Sequence, residues 1–170
     1  MIEYEVKILD IDVAEITKNL SEIGYTPQRK RSFRRIIFDT IPEDKNKWVR
    51  LRTDGFITTL TYKEYLRDSI DGVKEIEVEV DNFENCRSLL ESSGLRSRSY
   101  QENSRTDFIN KSMSAEISID EWPNIPPYLE IESKSVGDVE KMVSDLKLES
   151  HEKTSETTAN VYKRYGLTLE

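Results

Sequence analysis

The chain opens with a strict alternation of charged and apolar residues. Glu3, Glu5 and Lys7 alternate with Tyr4 and Val6. At the two-residue period of a strand, the charged side chains share one face and the apolar side chains share the other. This alternation predicts that the chain begins with a strand in which only the apolar face can pack against a hydrophobic core.

Five later segments have the same two-sided pattern. For any one of them, a solvent-exposed face with cross-strand charge pairs, worth about 0.2–1 kcal/mol each, would be an adequate explanation. Six segments together favour a different arrangement, in which helices cover the apolar faces and the polar faces enclose a cavity. The later polar positions are Arg50 and Arg52; Thr59, Thr61 and Lys63; Glu75, Glu77 and Glu79; Ser118 and Asp120; and Glu130 and Glu132.

Turn and cap signals divide the rest of the chain into strands and helices. Strands are predicted over 1–9, 31–39, 48–53, 56–64, 74–80, 98–109, 114–120 and 128–132, and helices over 12–23, 82–93, 137–146 and 154–165. Hairpins dominate over strand–helix alternation, which is typical of an α+β fold with a largely antiparallel sheet. Eight strands are about the number that encloses one small ligand, so we expect an eight-stranded antiparallel barrel with flanking helices.

Composition narrows the class of protein. The net charge is −8, which argues against nucleic acid as a general partner, and the single cysteine, Cys86, excludes an intramolecular disulfide. The sequence contains no apolar run of membrane-spanning length, and its start lacks a signal-peptide pattern. We therefore expect one cytoplasmic domain over residues 1–170 that acts as a monomer or homodimer. Cys86 is expected to fill the core, and His151 to lie at the surface.

A cavity lined by many carboxylates requires compensating cations. The cations available on the polar faces are Lys7, Arg50, Arg52, Lys63 and Arg105. A divalent ion bound by carboxylates without His or Cys suggests Mg²⁺ or Mn²⁺, and Arg and Lys suit phosphoryl oxygens. Acids on one side and bases on the other therefore predict a site for a metal ion and a polyphosphate.

These residues resemble the CYTH superfamily, also called triphosphate tunnel metalloenzymes. The hallmark Glu-x-Glu-x-Lys of the family is matched by Glu3, Glu5 and Lys7. Later matches follow in the family's order along essentially the whole chain. They are Phe38-Asp39, Arg50-x-Arg52, Lys63, Glu75-x-Glu77, Arg105, Asp120 and Glu130-x-Glu132.

The resemblance implies a role for each matched residue. Glu3, Glu5, Glu130 and Glu132 would be metal ligands. The expected catalytic residues are Glu77 and Asp120, which would support the metal or the attacking water, together with Lys63. The phosphates would be held by Lys7, Arg50, Arg52, Lys63 and Arg105, with Arg35 as a further candidate from the basic run Arg29, Lys30, Arg31, Arg34 and Arg35.

The implied activity is metal-dependent hydrolysis of a triphosphate, which could be inorganic tripolyphosphate, thiamine triphosphate or a nucleoside triphosphate. Adenylate cyclisation and polyphosphate binding without turnover are the alternatives. Several positions depart from the family pattern and bear on the identity of the substrate: Arg35, Ile37, Val73, Asn103 and the loop 122–127. Tyr162 and Lys163 either close one mouth of the tunnel, as tail helices do in similar proteins, or serve packing alone.

Overall fold

The structure, a computed structural model, describes residues 2–66, 72–112 and 115–169, with side chains from Tyr4 onward. The predicted loop 67–72 lies outside the described residues except for Gly72. The elements in chain order are β1 (Ile2–Ile8), α1 (Val13–Glu22), β2 (Thr26–Pro27), β3 (Arg31–Asp39), β4 (Lys47–Thr53), β5 (Thr58–Tyr65), β6 (Val73–Val80), α2 (Phe83–Ser92), β7 (Ser97–Ile109), β8 (Glu116–Glu121), β9 (Tyr128–Ser133), α3 (Val136–Asp145), β10 (Lys153–Thr154) and α4 (Thr158–Arg164).

Eight of the described strands form a closed antiparallel barrel in the order β1-β6-β5-β4-β3-β7-β8-β9, and β9 pairs again with β1. At this closing seam Glu5 lies opposite Glu132, and Lys7 lies opposite Glu130. The predicted α+β fold with an eight-stranded antiparallel barrel and flanking helices is confirmed. The seam also unites the first and the last strands of the barrel, which brings their polar faces together.

Two short strands outside the barrel were not predicted. β2 pairs with β7, and β10 pairs with β1 through Thr154 opposite Lys7. The predicted helix over 154–165 is therefore wrong in its first turn. The helix starts only after Thr157, whose side chain accepts a hydrogen bond from the Asn160 backbone N–H and caps α4.

The hydrophobic core lies outside the barrel. Helices α1 and α3 cover the outward apolar faces of β1, β8 and β9, so the alternation in each strand places its charges inside. Burying a Leu or Ile side chain stabilises a fold by about 1.5–3 kcal/mol, which makes this outer layer the main source of stability. Its members include Ile8, Leu20, Ile119, Leu129, Ile131, Val139, Met142 and Leu146.

A second cluster lies under α2. Phe83 and Cys86 of this helix pack against Ile36, Phe38 and Leu51 of β3 and β4. The free thiol of Cys86 is buried there, and burial raises its pKa. The prediction that Cys86 fills the core is confirmed.

A tight turn joins β4 to β5. Asp54 accepts hydrogen bonds from the backbone N–H groups of Phe56 at 3.0 Å and Ile57 at 2.8 Å. Gly55 has φ +90°, a conformation that favours glycine. The turn predicted from Asp54-Gly55 is confirmed, and it sets the register that aligns Arg50 with Thr61.

The N-terminus of α1 offers a test of the local energetics. The carboxylate of Asp12 accepts hydrogen bonds from the backbone N–H groups of Ala14 at 2.9 Å and Glu15 at 3.0 Å. We expect Asp12→Ala to lower the free energy of unfolding by about 1 kcal/mol in urea titrations, because an N-cap acceptor is lost. Asp12→Asn keeps an acceptor and is the control. Equal losses in the two variants would contradict the capping role.

Candidate active site

The barrel encloses a cavity of about 1000 Å³, at the upper end of the range for small-molecule sites. Inward-facing residues of all eight barrel strands line it, and cationic and anionic side chains of the described residues occur there in nearly equal number. A lining with this balance of charge favours a ligand that combines negative groups with a cation.

Three carboxylates converge on one side of the cavity. Glu5, Glu130 and Glu132, here named the carboxylate cluster, each offer an oxygen within 4.8 Å of the others. They lie on the neighbouring strands β1 and β9, at positions whose side chains point into the barrel. An all-oxygen donor set of this kind suits a hard divalent ion such as Mg²⁺ or Mn²⁺. The side chain of Glu3 lies outside the described residues, although its backbone pairs with Val73 on β6.

Lys7 lies within the carboxylate cluster. Its Nζ contacts Glu5 and is 3.6 Å from Glu130 Oε2, and the residue is only 4% exposed. Burial lowers the pKa of Lys7, whereas the charge of Glu130 raises it and partly offsets that effect. The lysine thus supplies positive charge among carboxylates that would otherwise repel one another.

Arg105 joins the carboxylate cluster to Asp120. Its guanidinium donates to Asp120 from Nε at 2.9 Å and from Nη2 at 2.5 Å, and Nη2 also donates to Glu130 at 2.6 Å. Burial would lower the pKa of Arg105, but Glu130 and Asp120 raise it well above its usual value. For Glu130 burial acts in the opposite direction and would raise the pKa, but the charges of Arg105 and Lys7 hold it well below the usual range. Glu130 and Arg105 are therefore both ionised at neutral pH.

Arginines occupy the other side of the cavity. Arg35, Arg50 and Arg52, here named the arginine wall, project from the paired strands β3 and β4. Arg50 lies 3.3 Å from Glu77, and Arg52 lies 3.8 Å from the same carboxylate. Burial and the charge of Arg50 lower the pKa of Arg52 to about 10, so it stays charged at neutral pH.

Glu77 and Lys63 lie on the strands beside the arginine wall. Glu77 accepts a hydrogen bond from Thr61 Oγ1 at 2.6 Å, and Lys63 contacts Glu75. The charge of Lys63 also lowers the pKa of Glu130, so Lys63 interacts electrostatically with the carboxylate cluster as well. The predicted catalytic and phosphate-binding positions therefore share one enclosed space.

Sequence reasoning did not place Trp122 and Tyr128 in the cavity lining, and it named Asn103 only as a departure from the family pattern. Asn103 accepts a hydrogen bond from Arg35 and donates one to Asp120 at 3.1 Å, and the Arg35 guanidinium lies 4.7 Å from the Trp122 ring centroid. Tyr128 is almost completely buried at the cavity, and burial raises its pKa well above its usual value. Extending the strand parity from Asp120 to Trp122, and from Glu130 back to Tyr128, would have found both aromatic residues.

The predicted basic run divides between different environments. Arg35 turns into the cavity, whereas Arg34 lies outside against the Phe83 ring, 4.3 Å from its centroid. Arg31 pairs with Asp107 at 2.6 Å, and Lys30 pairs with Glu121 at 2.6 Å. Arg31 also lines the cavity, but it is paired with Asp107, and we therefore assign only Arg35 of this run to the arginine wall.

The C-terminal segment lines one part of the cavity. Tyr162 of α4 is buried, donates to the Pro123 carbonyl at 2.6 Å and packs edge-on against Trp122. Residues 157–160 and Lys163 line the cavity. Tyr162 thus serves packing, while Lys163 contributes to the lining.

The fold and its lining define a closed antiparallel barrel with an internal ionic site. The family model for the CYTH domain matches residues 1–162. The chain belongs to the CYTH family, as its sequence motifs predicted.

Several solved structures share the fold of this chain. A protein proposed to be an adenylate cyclase from Vibrio parahaemolyticus has a TM-score of 0.78 at 12% identity, with 96% of this chain and 98% of that chain covered. The PH1012 protein from Pyrococcus horikoshii has a TM-score of 0.74 at 18% identity, with 88% and 94% covered.

HpAC1 from Hippeastrum, whose dominant activity is that of a triphosphatase, has a TM-score of 0.64 at 19% identity, with 99% and 97% covered. No curated protein sequence matches this chain. None of the helices in the described part of the chain has the length and apolar character needed to cross a lipid bilayer.

Proposed function

We propose that this protein hydrolyses a triphosphate inside the barrel with the help of a divalent metal ion. The observation that supports this most is the carboxylate cluster, which shares one enclosed cavity with the arginine wall. A polyphosphate needs both sets of groups at once, because its oxygens bind cations of the protein and metal ions together. Membership of the CYTH family adds independent support.

The metal ligands in this proposal are Glu3, Glu5, Glu130 and Glu132. The proximity of the last three supports Mg²⁺ or Mn²⁺, since their oxygens meet within 4.8 Å. A bound divalent ion would neutralise phosphate charge and polarise the phosphoryl group. Because the lining is already close to charge balance, a polyanion entering without a metal ion would leave a large excess of negative charge.

The phosphates would be held by Lys7, Arg50, Arg52, Lys63 and Arg105. Arginine donates two parallel hydrogen bonds to phosphoryl oxygens, and lysine supplies a compact charge. These groups are held in place by carboxylates before a substrate arrives, as Arg105 is by Asp120. Preorganised cations around a transferred phosphoryl group stabilise its transition state, which is the main catalytic contribution that we assign to them.

Glu77, Asp120 and Lys63 are the proposed catalytic residues. Glu77 faces the cavity and is about one-third exposed, which suits a carboxylate that orients a water molecule. Both oxygens of Asp120 accept hydrogen bonds from Arg105, so its proposed contribution is to fix that guanidinium. Lys63 would add positive charge between the two sides of the cavity.

A substrate panel tests this proposal. Phosphate release and cyclic AMP formation should be measured with inorganic tripolyphosphate, thiamine triphosphate and ATP, each with Mg²⁺, with Mn²⁺ and with excess chelator. We expect metal-dependent phosphate release from at least one triphosphate. Cyclic AMP as the main product from ATP would favour the cyclase, and tight binding without any product would reject the enzyme.

A further inference from the structure

Resting on the proposed function, we propose that Arg35 determines specificity for chain length by binding the phosphoryl group farthest from the metal ion. The substrate class would be a linear triphosphate, as opposed to a diphosphate. Arg35 differs from the cations assigned above to phosphate binding, Lys7, Arg50, Arg52, Lys63 and Arg105, in having no carboxylate of the described residues beside it and in its position.

The charge of Arg35 lacks a direct counterion. Among the described residues, no carboxylate lies within 4.0 Å of its guanidinium, whereas Lys7, Arg50, Arg52, Lys63 and Arg105 each have one. Its side chain instead contacts the amide of Asn103 and the ring of Trp122. The residue is only 8% exposed, so water supplies little compensation. A buried and unpaired arginine is costly unless an anion joins it.

Hydrogen-bond donors near Arg35 are also without partners. Within the described part of the chain, Arg35 Nε, Arg50 Nε and Trp122 Nε1 are buried and accept or donate no hydrogen bond. These three atoms are donors only, and their side chains line the same cavity. A phosphoryl group, which is rich in acceptors, would satisfy them.

The position of Arg35 relates it to chain length. A series of contacts runs from Glu130 through Arg105 and Asp120 to Asn103, and Arg35 stands at its far end. The carboxylate cluster lies at the near end because it contains Glu130. A diphosphate held by a metal ion at the cluster would stop short of Arg35, whereas the last phosphoryl group of a triphosphate would reach it.

Arg35 remains suited to this role despite its burial. Burial and the charges of Arg50 and Arg52 lower the pKa of Arg35 to about 9. That value is above neutral pH, so the guanidinium is charged when the substrate arrives. Each phosphoryl oxygen that pairs with it relieves both the desolvation and the repulsion between neighbouring arginines.

Calorimetric titration of Arg35→Gln with Mg²⁺ and the non-hydrolysable imido analogues of tripolyphosphate and pyrophosphate tests the proposal. We expect the variant to bind the triphosphate analogue about ten- to hundred-fold more weakly, the loss typical of a charge-assisted contact. Binding of the diphosphate analogue should change by less than about threefold, because that ligand does not reach Arg35. The matched control is Arg34→Gln, on the same strand but outside the barrel.

Three results would overturn the proposal: unchanged binding of the triphosphate analogue, an equal loss for both analogues, or the same loss in Arg34→Gln. Arg35→Lys keeps the charge without the planar fork and provides a second variant should the glutamine variant not fold. It should bind the triphosphate analogue with intermediate affinity, and full wild-type affinity would reject the bidentate contact. Failure of the wild-type protein to bind either analogue would reject the proposed function itself.

Discussion

Glu5→Gln is expected to reduce metal-dependent turnover by at least about a hundred-fold, since one charged ligand of a preorganised electrostatic site is lost. Glutamine has nearly the same shape as glutamate but carries no negative charge. Among the described residues, the carboxylate cluster would then offer two charged carboxylates instead of three. Lys7 would also lose its closest carboxylate contact, so both metal and phosphate binding should weaken. Initial rates of phosphate release across a Mg²⁺ titration measure this effect.

The control for this variant is Glu102→Gln. Glu102 lies on the outer face of β7, where it accepts a hydrogen bond from Tyr100 at the surface. This change removes the same charge from the protein without altering the cavity, so turnover should stay within about twofold of wild type. Circular dichroism should show that both variants keep the barrel. Wild-type turnover in Glu5→Gln would reject its role as a metal ligand.

Arg105→Leu is expected to lower the free energy of unfolding by about 3–5 kcal/mol, the cost of removing one partner from a buried ionic network. Asp120 is only 1% exposed, and Arg105 supplies hydrogen bonds to both of its oxygens. Without the guanidinium, Asp120 and Glu130 would remain as buried negative charges close to each other. Urea titrations of wild type, Arg105→Leu, Asp120→Asn and the double variant measure the coupling.

The double variant should be more stable than the sum of the two single losses predicts, because Asp120→Asn removes one of the stranded charges. Strict additivity would contradict the network.

The pH dependence of stability gives a second check. In the wild type, Arg105 and Lys7 hold the pKa of Glu130 below its unfolded value, so its stabilising contribution is present at neutral pH and is lost as pH falls below about 4.5. The stability gap between wild type and Arg105→Leu should therefore narrow in acid.

The barrel and its polar interior could be predicted because one period governs both. In a strand, the parity that sends Val6 outward sends Glu5 and Lys7 inward, and the same rule applies to Arg50 and Arg52. The outward apolar side chains must then be buried by helices. The capping residues and the helical spacing of apolar residues in the sequence predicted these helices, α1 to α3. The sequence thus carried enough to predict the architecture and most of the lining.

The contacts within the cavity could not be predicted in the same way. Parity places Asp120 and Arg105 inside, but only the register of β7 against β8 shows that they lie opposite each other. The link from Arg35 through Asn103 likewise depends on how neighbouring strands are offset. The strand β10 also escaped prediction, because a two-residue segment such as Lys153–Thr154 has no measurable periodicity.

The apolar layer outside the barrel lets some cavity residues serve the proposed activity without contributing to stability. Apolar packing under α1, α2 and α3 lies outside the barrel and stabilises it from there. The interior is then free to hold charges that add little stability, such as the unpaired guanidinium of Arg35. Substitutions in the cavity that remove a lone charge should consequently alter ligand binding more than folding.

The proposed function requires a metal ion at the carboxylate cluster and a triphosphate to occupy the barrel together. Co-crystals grown with Mn²⁺ and the imido analogue of tripolyphosphate test it most directly, because anomalous diffraction locates manganese. We predict a manganese peak among Glu5, Glu130 and Glu132, with the analogue extending from it toward Arg50 and Arg52. Manganese bound elsewhere, or an analogue bound outside the barrel, would contradict the account.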